Sequence, residues 1–175
     1  MKIYVERAMH LMRKLYPYLT NCGESVRRYE YALDKFNKDY HYHIRLCHGA
    51  SRIVLICGEF VIKFDYCESE VSRIGGCENE MKFYEFAQFM HKSYLFAEIT
   101  RIHVGHKYFY VMPYVHGVGS SNDYVEYYLD EDDCEFIQNY LYDTHEYNFG
   151  WEDDYPVIID YAANVILDGV ELTTT

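Results

Sequence analysis

The chain is short of proline, of basic charge and of long apolar runs, and each shortage excludes something. With three prolines in 175 residues it has neither the composition of a rigid linker nor that of a disordered tail. Sixteen basic residues stand against 28 acidic ones, a net charge of −12. The summed field therefore repels phosphate backbones, and no nucleic-acid partner is expected. No apolar stretch approaches the roughly 20 residues that span a bilayer, so no membrane partner is expected either. The six cysteines contain no Cys-x-x-Cys pair. His41 with His43 and His103 with His106 thus lack the thiolates of a structural zinc site. The opening segment MKIYVERAMHLMRKLYPYL lacks the apolar core of a secretory leader, and the expectation is reduced thiols in a cytoplasm.

What is present points to a folded domain. Half of the residues are apolar and 18% are aromatic, with 21 tyrosines. The length suits one domain, with room for two lobes, given roughly 100–200 residues per domain. Apolar spacing predicts helices over 3–19 and 24–39, divided by Asn21-Cys22-Gly23-Glu24. Short β-rich runs follow at His41–Leu46, Ile53–Cys57 and Phe60–Tyr66, which read as an antiparallel meander. A helix over 77–91 carries Phe83, Phe86, Ala87 and Met90 on one stripe. Strands over Ala97–His103 and Lys107–Val115 bring the sheet to five. The Gly/Ser-rich stretch 117–122 reads as a hinge, Asp130–Tyr142 as a helix with an acidic first turn, and the surroundings of Asp153-Asp154 as a short hairpin before Val165–Leu172. The predicted class is α+β.

Several polar residues sit where apolar ones are expected. On the strand Glu59-Phe-Val-Ile-Lys-Phe-Asp65, alternation places Lys63 with Val61 on one face and Phe60, Ile62 and Phe64 on the other. On the next helix, Glu80 falls at the edge of the apolar stripe, whereas Glu78 and Glu85 point away. A carboxylate turned toward a core wants a cation, and Lys63 is the nearest inward one in sequence. Asp160 interrupts Val157-Ile158-Ile159 where a buried strand should continue. Each has an ordinary reading: Lys63 as a snorkelling lysine, Asp143 and His145 as turn groups, Asn148-Phe-Gly150 as a turn, Asp160 as a strand end.

Taken together and in order, these residues suggest more. Val61-x-Lys63, a helix with an inward Glu80, the apolar Tyr110-Val-Met-Pro-Tyr114, Asp143-x-His145-x-x-Asn148 and Ile159-Asp160-Tyr161 form a series that resembles the protein-kinase-like fold. The loop pattern is closest to aminoglycoside-phosphotransferase-type and atypical Ser/Thr kinases and to short bacterial and phage kinase-like proteins, which carry His where His145 stands. The resemblance implies a five-stranded antiparallel small lobe over 41–116 with one αC-like helix, a truncated second lobe over 117–175, and an N-terminal helical extension over 1–40 outside the family pattern. It implies ATP and Mg²⁺ as cofactors, with Asn148 and Asp160 holding the metal. Lys63, held by Glu80, would sit on the phosphates, and Asp143 would orient an acceptor hydroxyl. Gly49 and Ser51 would form a shortened phosphate loop, and Val61, Met112 and Tyr114 would lie around the nucleotide. By the same resemblance, the location is the cytoplasm of a bacterium or a phage-infected host.

The departures from that pattern set the alternatives. Leu141-Tyr142 stands where a His-Arg or His-Gly pair usually precedes the loop aspartate. Only Gly49 remains of the glycine-rich loop, and fifteen residues follow Asp160, too few for an activation segment. The expected function is a minimal ATP/Mg-dependent phosphotransferase acting on a protein Ser/Thr or small-molecule hydroxyl. The alternatives are a pseudokinase that docks on a partner through its tyrosine-rich surface, and an α+β structural protein with chance motifs. The pattern leaves open whether residues 1–40 cover a sheet face or recruit a partner.

Overall fold

A computed structural model describes residues 2–67, 76–115, 129–144, 148–152 and 155–164. The chain forms two compact units, Met1–Cys77 with Ile99–Tyr114, and Glu78–Glu98 with Val115–Thr175. The expected hinge over 117–122, His145 and the run Val165–Leu172 lie outside the described residues.

In the first unit the helical periodicity closes onto a sheet. Val5, Ala8, Leu11, Met12, Leu15 and Leu19 recur every third or fourth residue and are all buried on α1 (Ile3–Leu19). Tyr29, Ala32, Leu33 and Phe36 do the same on α2 (Val26–Tyr40). The strands β1 (Arg45–His48), β2 (Arg52–Ile56), β3 (Phe60–Asp65), β4 (Thr100–Val104) and β5 (Lys107–Pro113) form one antiparallel sheet in the order β1-β2-β3-β5-β4. Ile53, Leu55, Phe60, Ile62, Phe64, Phe109 and Val111 join both helix stripes in one apolar cluster. Helices α1 and α2 therefore cover one face of the sheet.

The first strand begins four residues later than the sequence suggests, and Asn37 explains why. His41 ends α2 in the left-handed region at φ 57°. The Asn37 side chain then donates to the Ile44 carbonyl (2.9 Å) and accepts the Ile44 amide (3.2 Å). Residues 41–44 are thus committed to ending the helix, and ladder pairing starts at Arg45 opposite Ile56.

The second unit contains α3 (Cys77–Phe89, of which Cys77 belongs to the first unit), a 3-10 turn at Ser93–Leu95, α4 (Glu131–Tyr140) and the hairpin β6 (Phe149–Glu152) with β7 (Tyr155–Ile158). Its core is aromatic: Phe83 packs edge-on to Phe96 at 5.4 Å between ring centres, and Phe96 to Tyr161 at 5.1 Å. Helix α3 stops at Phe89 because His91 turns left-handed, which leaves Met90 exposed instead of on the expected stripe. Asp130 caps α4 by accepting the Asp133 amide at 2.8 Å. Lys92 donates to Asp132 and, at 2.6 Å, to buried Asp133. All six cysteines are free thiols. Among the described residues no helix is long and apolar enough to cross a membrane.

Two left-handed glycines separate sterics from backbone freedom. Gly105 (φ +64°) turns β4 into β5, and a Cβ there would come within 2.1 Å of the Tyr16 ring, whose hydroxyl accepts the His106 amide. Gly23 (φ +57°) has open space where a Cβ would go. In urea unfolding, Gly105→Ala is expected to cost about 2–4 kcal/mol and Gly23→Ala only about 1 kcal/mol. Equal costs would refute the Tyr16 contact.

Candidate functional site

In the second unit, hairpin register brings distant residues together. Phe149 pairs with Ile158 at the open end of β6–β7. Asn148, just before β6, and Ile159-Asp160, just after β7, must therefore emerge at the same end. The Ile159 amide donates to the Asn148 carbonyl at 2.7 Å. The buried Asn148 side chain donates through Nδ2 to the main-chain carbonyl of Asp143 at 3.0 Å. Two hydrogen bonds thus link Asp143, Asn148 and Ile159, the residue before Asp160, with Asp143 exposed and Asp160 half-buried. With its nitrogen committed to the loop, Asn148 has its amide oxygen as the remaining side-chain donor atom for a cation. An amide oxygen and a carboxylate are both hard-oxygen ligands, a type that suits magnesium better than zinc or copper.

Glu80 has no exposed surface, and its carboxylate accepts the main-chain amide of Tyr161 at 3.3 Å. The inward glutamate therefore reaches the residue immediately after Asp160. Tyr161 is itself buried and donates its phenol to the Ala97 carbonyl at 2.9 Å. Burial first, and the Glu80 carboxylate second, hold that phenol neutral well above its ordinary range.

In the first unit, Lys63 lies on the sheet face opposite α1 and α2. It is only 6% exposed, and its cross-strand neighbours are Val54 and Tyr110. Val61 lies on the same face directly opposite Met112. Tyr114, half-buried, donates its amide to the Glu59 carbonyl at 2.9 Å, just past the end of β5. Lys63, Val61 and Met112 share one surface. Lys63 belongs to the first unit, and Glu80, Asp143, Asn148 and Asp160 to the second.

The loop expected over phosphates is a tight hairpin tip. Gly49 donates its amide to the Arg52 carbonyl at 3.0 Å, and Tyr66 ties the tip down through its own amide to Ser51 (3.0 Å) and its hydroxyl to Ala50 (2.9 Å). Gly49 lacks a positive φ, and a Cβ there would meet nothing within 4 Å, so the fold does not demand glycine. Ser51 is buried.

Two other features are separate from these residues. A cavity of about 860 Å³ in the first unit, lined by Arg7, His10, Leu11, Ile44, Cys57 and Phe60 among others, contains none of the expected residues. Burial pushes its Cys57 thiol up to about 12, which suits packing and not nucleophilic attack. Among the described residues, one acidic group has spacing suited to an ion, Asp130, Asp132 and Asp133. It is accounted for by the α4 cap and by Lys92. Sequence reasoning missed the Tyr161 amide as a partner of Glu80 and missed Asn164, which is fully buried and donates to the Tyr161 carbonyl. Asn164 carries a signal like that of Asp160, a polar residue that interrupts apolar sequence, with Tyr161-Ala162-Ala163 before it and Val165-Ile166-Leu167 after. In comparisons with known proteins, no family model, curated protein or solved structure matches the chain.

Tyr161 gives a test that depends on pH. Its neutral phenol stabilises the fold fully below the unfolded-state value of about 10, and that contribution is lost as pH rises toward the higher folded value. Tyr161→Phe should cost about 1–2 kcal/mol at pH 8, with the gap to wild type narrowing above pH 10 in urea unfolding. A gap constant to pH 11 would contradict the buried neutral phenol.

Proposed function

We propose that the chain is a minimal ATP/Mg-dependent kinase-like phosphotransferase that moves a γ-phosphoryl group to a hydroxyl acceptor. One observation carries the reading: Asn148 donates its side-chain nitrogen to Asp143 and accepts, at its carbonyl, the amide next to Asp160. Those two bonds tie together the segments carrying Asp143, Asn148 and Asp160, to which this reading gives the acceptor-orienting and metal-holding roles.

Phosphoryl transfer asks chiefly for positioning and charge neutralisation. In this reading Asn148 and Asp160 hold Mg²⁺, which offsets phosphate charge when bound. Lys63 supplies the cation that a −12 chain otherwise has little of, its local field acting within a screening length of about 8 Å. Asp143, exposed, orients the acceptor hydroxyl. Glu80 steadies the residue after Asp160 through the Tyr161 amide.

The hairpin tip favours a second reading. With the Gly49 amide bonded to Arg52, a main-chain cradle for phosphates is reduced, as in a pseudokinase that binds nucleotide or protein without turnover. Tyr31, Tyr108 and Tyr142, each more than half exposed, would then serve docking.

Mg²⁺-ATP is expected to raise the thermal midpoint of the wild type, and Asp160→Ala to abolish the rise. Asp143→Ala should keep the rise and cut γ-phosphate transfer or hydrolysis about 10²–10⁴-fold. Stabilisation without turnover in the wild type selects the pseudokinase. Absence of any magnesium-dependent response to nucleotide rejects the phosphotransferase and the nucleotide-binding pseudokinase, and leaves protein docking alone.

A further inference from the structure

Asp160 lies two residues past the end of β7, and Asp143 lies in an exposed loop. No strand ladder fixes either of them. The second unit contains a different fastener.

Leu141 forms an antiparallel bridge with Asn164, and the Tyr142 amide donates to the Ala163 carbonyl at 2.9 Å. The Asn164 side chain donates through Nδ2 to the Tyr161 carbonyl at 2.7 Å and to the Ala162 carbonyl at 3.3 Å. Its main chain is thus paired two residues before Asp143, while its side chain closes on the residue right after Asp160. Asn164 has no exposed surface. A buried amide at the head of an apolar run is costly unless its bonds are made, and an apolar residue there would leave buried carbonyls without a donor. Aspartate, when ionised, has no proton to give.

We infer that Asn164 is a positioning residue that couples the main chain beside Asp143 to the main chain beside Asp160. Its functional consequence rests on the magnesium-nucleotide reading above. Asn164 acts through Asp160 and touches no reacting atom.

The test uses the full chain with Asn164→Ala, and with Asn164→Ser as a milder variant that keeps one donor if the alanine variant fails to fold. Without nucleotide, amide hydrogen exchange at Tyr142 and at Tyr161 should accelerate together, about tenfold, with α2 unchanged. Acceleration at Tyr161 alone, or at neither, overturns the coupling. In thermal shift with ATP, the magnesium concentration giving half the response should rise about tenfold or more. A variant that lowers the midpoint temperature but leaves the magnesium requirement at the wild-type value refutes positioning, because a purely structural asparagine would do that. If the wild type gives no magnesium response, the proposed function fails and the claimed service to magnesium fails with it. The exchange data then decide the coupling by themselves.

Discussion

The second unit depends on one buried asparagine. Asn148 uses its side chain toward the loop before it and its carbonyl toward the strand after it, at 3.0 and 2.7 Å. The second bond extends the hairpin by one pair beyond Phe149 and Ile158. The first bond is a choice of residue: a side chain with both a donor and an acceptor can satisfy a carbonyl and still present oxygen. Without it, the Asp143 loop loses a direct tie to the strand that leads to Asp160 and keeps the Asn164 bridge.

Around that link the structure is arranged to limit the freedom of the segment after β7. The Tyr161 amide goes to Glu80, its phenol to Ala97 and its carbonyl to Asn164. Aromatic packing of Phe83 and Phe96 against its ring supplies the apolar burial that makes those bonds strong. The first unit follows a simpler logic, in which two amphipathic helices cover one face of a five-stranded antiparallel sheet and Lys63 falls on the other.

Much of the fold was legible because it rests on period. Alternation and 3.6-residue stripes located five strands and four helices to within a few residues. The start of β1 was not legible, because Asn37 commits Ile44 through side-chain bonds that no periodicity records. Glu80 and Asp160 were legible as polar residues at apolar positions. Asn164 offered the same signal and was passed over, since no familiar motif includes it. The Lys92 bridge to Asp133 was invisible for another reason: its partners are 41 positions apart and each looks like ordinary surface in sequence. That Tyr66 would fasten the tip holding Gly49 was equally beyond local pattern, because it depends on where β3 ends.

Whether Asn148 and Asp160 act as a pair of metal ligands decides the proposed chemistry. A crystal grown with Mg²⁺ and a non-hydrolysable ATP analogue tests this most directly. The expected result is one metal bonded to the Asn148 amide oxygen and the Asp160 carboxylate, with a phosphate oxygen on the same ion. Nucleotide bound elsewhere, or these two side chains bare at saturating magnesium and nucleotide, would contradict it.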